Sequence, residues 1–320
     1  MTVATAPNTP NVVRQLLYAT ELQKRIKDRL VGRPLFNDRT SQLGDGDELK
    51  ITQIGQRLLK DHTDGSPIDF SKIDTSRITL QVTEAYEDGF AVTDDLKEDS
   101  HQFADYWATN VNESGLAFER QMETDVLAVS SQQTPSDQNL INGQAHRRVA
   151  SGTNQVMTIE DFNRMKLAFD KARVPYQNRV AIIDPTVEFQ LNQLVNVTEV
   201  SNGSTFNYDF QGLVQEGFGQ ELNIVRNILG WNIIISDHLP KGLAETIDSV
   251  AVTNGVANVF MSMASADLMP FMGVIRRMPD PEFFRNVNLR QDEWTATARW
   301  GFQIQRPETL GVIITDETSL

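Results

Sequence analysis

The spacing of hydrophobic and polar positions changes several times along the chain, and each change marks an element. Val12, Leu16, Ala19, Ile26 and Leu30 fall on one face of a helix, with Gln23 at the intervening step, and Gly32 and Pro34 stop it. Leu49 and Ile51 then alternate with polar neighbours, as do Ile78, Leu80 and Val82. Roughly twenty mostly polar residues lie between these two runs, which predicts a long two-stranded β-arm and not a tight hairpin. Phe90, Val92 and Asp94 read as a further strand after an Asp88-Gly89 turn. A two-stranded arm is marginal in water unless something else covers it.

From Phe103 the period becomes helical: Phe103, Trp107, Val111, Ser114, Phe118 and Met122 recur at steps of three or four. This predicts a rod of about 28 residues and ~40 Å, capped by Ser100. Residues 134–155 read as a turn-rich connection. Thr158 and Asp161 are spaced as a capping box, and Met157 and Phe162 as a hydrophobic staple. Phe162, Met165, Phe169 and Ala172 form the buried face of the helix they open, which ends before Pro175. Arg179–Ile183 is a continuous apolar run after its first residue, as a strand buried on both faces requires. Asp184 caps a second helix with Pro185 at its first position and Val187, Leu191 and Leu194 inward. Trp231–Ser236 is another strand. Trp294, Ala296, Ala298, Trp300, Phe302 and Ile304 alternate strictly with more polar residues and Gly301, giving a strand of ~40 Å. Arg306-Pro307 breaks it, and Leu310–Ile314 forms a last short strand. The fold class is α+β.

Charge separates the start of the chain from the rest. The 29 basic and 43 acidic residues give −14, yet the first forty residues carry seven basic and three acidic side chains. Arg14, Lys24, Arg25, Lys27 and Arg29 make that segment a basic arm, suited to a solvated helix or to docking on a partner. The acidic remainder argues against a groove-reading nucleic-acid binder, which needs a basic surface. The chain has no cysteine, which excludes disulfide scaffolds, thiolate metal sites and cysteine nucleophiles. Four histidines lie far apart. No apolar run approaches the ~20 residues of a membrane span, and the first fifteen residues lack the order of a secretion signal.

Candidate chemistry is thin. Gly217-Phe218-Gly219 lacks the third glycine and the strand-to-helix setting of a dinucleotide loop. Asp45-Gly46-Asp47 and Asp61–Gly65 lack the spacing and terminal Glu of a calcium loop. Asp94 and Asp95, read as neighbours on a strand, point to opposite faces and cannot act as an acid–base pair. Trp294 and Trp300 share one strand face and read as core. No catalytic, cofactor or metal residues are expected, and no enzymatic activity.

The order of segments resembles the major capsid protein of tailed bacteriophages, the Hong Kong 97-type capsid fold. The resemblance is carried by FADYWATNVNESGLAFERQMETDVL as a spine helix, TIEDFNRMKLAFDKARVPYQNRVAIIDP as a helix–strand–helix step, ILGWNIIISDHLP, and DEWTATARWGFQIQRPETLGVIITD as a long strand and its return. It implies an N-terminal arm over 1–45, an extension loop over 46–92, a peripheral domain over 93–157 and 286–320, and an axial domain over 158–285. Leu58, Lys60, Asp61, Ile68, Phe70 and Lys72 would then touch a neighbouring subunit. It further implies hexamers and pentamers of this chain, a separate scaffolding protein, a portal protein and possible decoration proteins. The shell would enclose double-stranded DNA without reading its sequence, in a virion assembled in the host cytoplasm. An encapsulin-like compartment shares the architecture. An acidic hydrolase and a virion-surface binding protein are the readings from other classes.

Overall fold

The computed structural model describes residues 33–44, 46–54, 59, 61, 64, 75–99, 103–132, 137–196 and 227–316. Strand β1 (Phe36–Asp38) precedes the arm strands β2 (Glu48–Ile54) and β3 (Thr75–Gln81). These two pair antiparallel from Glu48 opposite Gln81 to Ile54 opposite Thr75, as the alternation predicts. Strand β4 (Glu84–Thr93) runs straight through Asp88-Gly89, so that dipeptide is no turn. The glycine serves a close approach instead: a Cβ on Gly89 would lie 3.0 Å from the Trp294 carbonyl oxygen. Asp94 is not in a strand either. It opens the short helix α1 (Asp94–Asp99), followed by α2 (Phe103–Ala128). At 26 residues α2 is about 39 Å long.

The connection after α2 holds more structure than its turn-rich composition suggests. It forms a small hairpin, β5 (Leu140–Ile141) with β6 (Gln144–Ala145), and then β7 (Arg147–Val149). Three-residue strands carry too little periodicity to stand out from a loop. Helix α3 (Ile159–Lys171) starts with the expected capping box, in which Thr158 and Asp161 satisfy each other's backbone N–H groups. Strand β8 (Arg179–Ile183) is buried throughout. Asp184 accepts the Thr186 N–H at 2.9 Å and caps α4 (Pro185–Asn196). Then come β9 (Asn227–Ile228), β10 (Trp231–Ile235), β11 (Leu243–Ile247), β12 (Val250–Ser262), β13 (Phe271–Asn286), β14 (Gln291–Ile304) and β15 (Leu310–Asp316).

Two sheets organise these strands. The larger runs β7-β15-β12-β8-β10-β9, with β11 paired to β12. Its period-2 alternation divides two cores. Ala181, Ile183, Phe260 and Ile313 join Phe162, Met165, Phe169 and Trp231 in one, while Val180, Ile182, Val259 and Ile314 join Phe118, Met122 and Val126 of α2 in the other. The smaller sheet runs β1-β13-β14-β4, and α2 covers one of its faces. Trp294, Ala296, Ala298 and Trp300 of β14 are buried in the core they share with α2, as their alternation predicts. Strand β13 has no such signature because Pro279 and Pro281 interrupt it. Its register shifts between Ile275 and Asp280, and β1 pairs with only its first three residues, so among the described residues the prolines face no second ladder.

Candidate assembly surfaces

The arm strands are fixed at their root and become more exposed outward. Leu80 and Val82 are buried with Met272 and Val274, while Leu49, Ile51 and Ile78 are partly buried around them. The Val82 N–H donates to the Asp47 carbonyl at 2.9 Å, and the Gln81 side chain donates to Glu48 at 2.7 Å. Lys50 and Gln81 together hold the Glu48 carboxyl below the usual range. At the root the arm backbone lies so close to β14 that a Cβ on Gly301 would sit 1.9 Å from the Gln81 carbonyl oxygen. Farther out, Ser76 and Arg77 are exposed, and Leu59 is 102% exposed.

Of the six loop residues expected to touch a neighbour, Asp61 is exposed. Leu58, Lys60, Ile68, Phe70 and Lys72 lie outside the described residues, as do Arg14, Lys24, Arg25, Lys27 and Arg29 of the basic arm.

At the opposite end of the small sheet, charges from three elements converge. Arg285 of β13 donates to both oxygens of Asp94, at 2.7 and 2.6 Å, and to Asp292 of β14 at 2.9 Å. Lys97 of α1 pairs with Asp292 as well. Arg285 and Lys97 hold the carboxyls of Asp94 and Asp292 below their ordinary range. The sequence does not announce this cluster, because its members meet through the pairing of β14 with both β4 and β13, and the prolines hide β13.

Chemistry of a catalytic kind does not assemble among the described residues. The carboxylate of Asp125 sits against the small sheet, where it accepts from Trp300 Nε1 at 2.8 Å, Gln121 at 2.8 Å and the Tyr86 hydroxyl at 3.2 Å. Burial raises its pKa, and burial together with that carboxylate raises the Tyr86 phenol. These groups hold one another and tie α2 to β4 and β14. A cavity of about 590 Å³ lies beside β7, lined in part by Arg147, Arg148 and Arg164. Arg147 is engaged with both oxygens of Glu245, at 2.6 and 2.7 Å, and Arg164 with Glu160. No group of three His, Asp or Glu residues with metal-binding placement occurs among the described residues.

Comparison with known proteins gives these surfaces their setting. A family model described as phage capsid protein matches residues 78–314. Nothing among curated proteins matches the sequence. Solved structures match over nearly the whole chain at low identity. The capsid of cyanophage P-SCSP1u is 15% identical with a TM-score of 0.69, covering 96% of this chain and 93% of its own. The mature capsid of bacteriophage PhiM1 is 12% identical with a TM-score of 0.68, covering 99% and 95%. A structure from Mycobacterium phage Che8 is 17% identical with a TM-score of 0.63, covering 95% and 97%. An arm exposed at its far end, a long helix laid on a long-stranded sheet, a larger sheet with helices packed on it and a family match over most of the chain lead to one conclusion: the chain belongs to the phage capsid protein family, has the Hong Kong 97-type capsid fold, and serves as a structural, shell-forming protein.

Proposed function

We propose that copies of this chain join as hexamers and pentamers into a closed icosahedral shell around double-stranded DNA, with a separate scaffolding protein and a portal protein, in the host cytoplasm. The observation that carries this reading is the arm, whose root is packed on its own subunit and whose outer residues are exposed. Contact area added this way enlarges an interface without enlarging the core, and many modest contacts sum to a stable lattice while single steps remain reversible. The division of labour follows: 1–45 as N-terminal arm, 46–92 as extension loop, 93–157 with 286–320 as peripheral domain, and 158–285 as axial domain. Strands β4 and β13, which these bounds assign mostly to the extension loop and the axial domain, both pair with β14 in the smaller sheet. The acidic balance of the chain favours a wall along which DNA slides without sequence-specific binding.

Deleting residues 58–74 tests the arm directly. The expected outcome is a folded subunit, by circular dichroism, that makes no closed particles in electron micrographs. Normal shells from the deletion variant would remove the arm from the assembly mechanism. An encapsulin-like compartment is the alternative, favoured if the chain expressed alone forms uniform cages without scaffold.

A further inference from the structure

The cavity beside β7, at about 590 Å³, falls within the roughly 300–1,000 Å³ of sites for small organic ligands. Residues of β7, of the turn between β11 and β12, and of α3 line it. Its three arginines differ in what they are free to do. Arg147 is buried and committed to Glu245. Arg164 is exposed and gives only Nη2 to Glu160, which leaves it further donors. Arg148 is half-buried, and among the described residues its guanidinium makes no hydrogen bond or ion pair.

The acids around Arg148 are Asp161, Glu160 and Asp248. Asp161 is occupied by the N–H groups of Ser151 and Thr158, the latter at 2.9 Å, and Glu160 by Arg164. Asp248 is exposed on the β11–β12 turn. Burial and the nearby Arg164 push the Arg148 guanidinium below its ordinary value, and a bound anion would oppose both effects.

Gln155 adds an acceptor to the same cavity. Its side-chain N–H donates to the Ala251 carbonyl at 3.0 Å, while its buried Oε1 receives no donor. The turn that carries it is strained: Asn154 and Gln155 have φ of 55° and 60°, and a Cβ on Gly152 would lie 2.4 Å from the Val156 carbonyl oxygen.

We infer that this cavity binds a small organic oxyanion, whose phosphate or carboxylate group lies on Arg148 and Arg164 and whose hydroxyl or amino groups donate to Gln155. Guanidinium forks hold either anionic group in bidentate geometry. A bare inorganic ion would leave Gln155 without its donor and much of the space unfilled, so the ligand carries more than its charge. The site is complete in a single folded chain and stands apart from the capsid reading.

Calorimetric titration of the full chain tests this, with adenosine monophosphate, citrate, adenosine and inorganic phosphate as probes. At least one of the two organic anions should bind saturably at one site per chain, inorganic phosphate more weakly, and adenosine not at all. Which organic anion binds distinguishes a phosphorylated ligand from a carboxylic one. Arg148→Gln should weaken that binding by roughly tenfold or more. Arg148→Lys should restore only part of it, because lysine keeps the charge and loses the fork. The bound anion should also raise the Tm of the parent and leave that of Arg148→Gln unmoved. Arg164→Gln, at an exposed position, gives the same reading should Arg148→Gln fail to fold. Absence of saturable binding of both organic anions to the parent overturns the inference, as does unchanged affinity in the folded arginine variants.

Discussion

The two sheets of this subunit are built to different rules. In the larger sheet, β8 and the second half of β12 are buried almost completely, and the alternating residues of β8 feed two separate cores. Trp231 is fully buried there, edge-to-face with Phe169 at 4.9 Å and with Phe260 at 5.0 Å. The smaller sheet is covered along its length on one face only; on the other, Met272 and Val274 lie under the arm root and the rest is open. Its inner face has Trp294 and Trp300 in the core shared with α2, while Glu87 and Thr295 on the other face are exposed, and Phe284, Val287 and Leu289 are exposed at its far end. One sheet reaches its stability within the chain. The other leaves an exposed face and an exposed end.

That contrast can be broken most forcefully at Trp231. Trp231→Ala removes an aromatic side chain with close ring contacts on two sides, and about 3–5 kcal/mol of subunit stability should go with it. Chemical denaturation of the free subunit reads this, and a loss below ~1 kcal/mol would mean that the larger sheet is less self-sufficient than its packing implies. Gly301→Ala strikes the junction between the smaller sheet and the arm. The added methyl meets backbone at 1.9 Å, so the arm root must move, at a cost of about 1–3 kcal/mol. Greater protease sensitivity confined to residues 46–82 is the expected signature, and an unchanged digestion pattern would contradict it. The smallest effect belongs to the exposed charge cluster. Asp94 and Asp292 have carboxyls held low by Arg285 and Lys97, so their contribution is present above the ordinary carboxylate range and is lost as pH falls through their depressed values. Arg285→Gln should therefore flatten the acid limb of the stability curve through a small loss at neutral pH that disappears in acid, where the carboxyls are protonated in both proteins. A large loss at pH 7 would show that the cluster holds up more than its own end of the sheet.

What could be read from the sequence follows the strength of the local signal. Helix α3 carried a capping box, a staple and an apolar face, all pointing the same way, and the structure has each of them. Strand β14 alternated over its whole length because one of its faces is core. By contrast β13, the longest strand, was hidden by Pro279, Pro281 and exposed residues on both faces, since a strand facing no second ladder is free of the constraint that creates a pattern. The Asp88-Gly89 dipeptide misled for a related reason: glycine also serves where two backbones approach closely, and only the partner strand distinguishes the two uses. The arm was visible as two runs around a polar gap. The exposed end of the β13–β14 hairpin was not, because Phe283, Phe284, Val287 and Leu289 match no internal period.

Strand β14 has a mechanical meaning. It is bonded on both flanks, to β13 from Asn286 opposite Gln291 back to Phe271 opposite Ile304, and to β4 from Thr93 to Glu84. Ladder hydrogen bonds lie across the strand direction. A pull applied lengthwise at the hairpin end therefore strains many rungs in shear together and does not peel them open one after another. A container swollen by its contents would be gripped along its stiffest line.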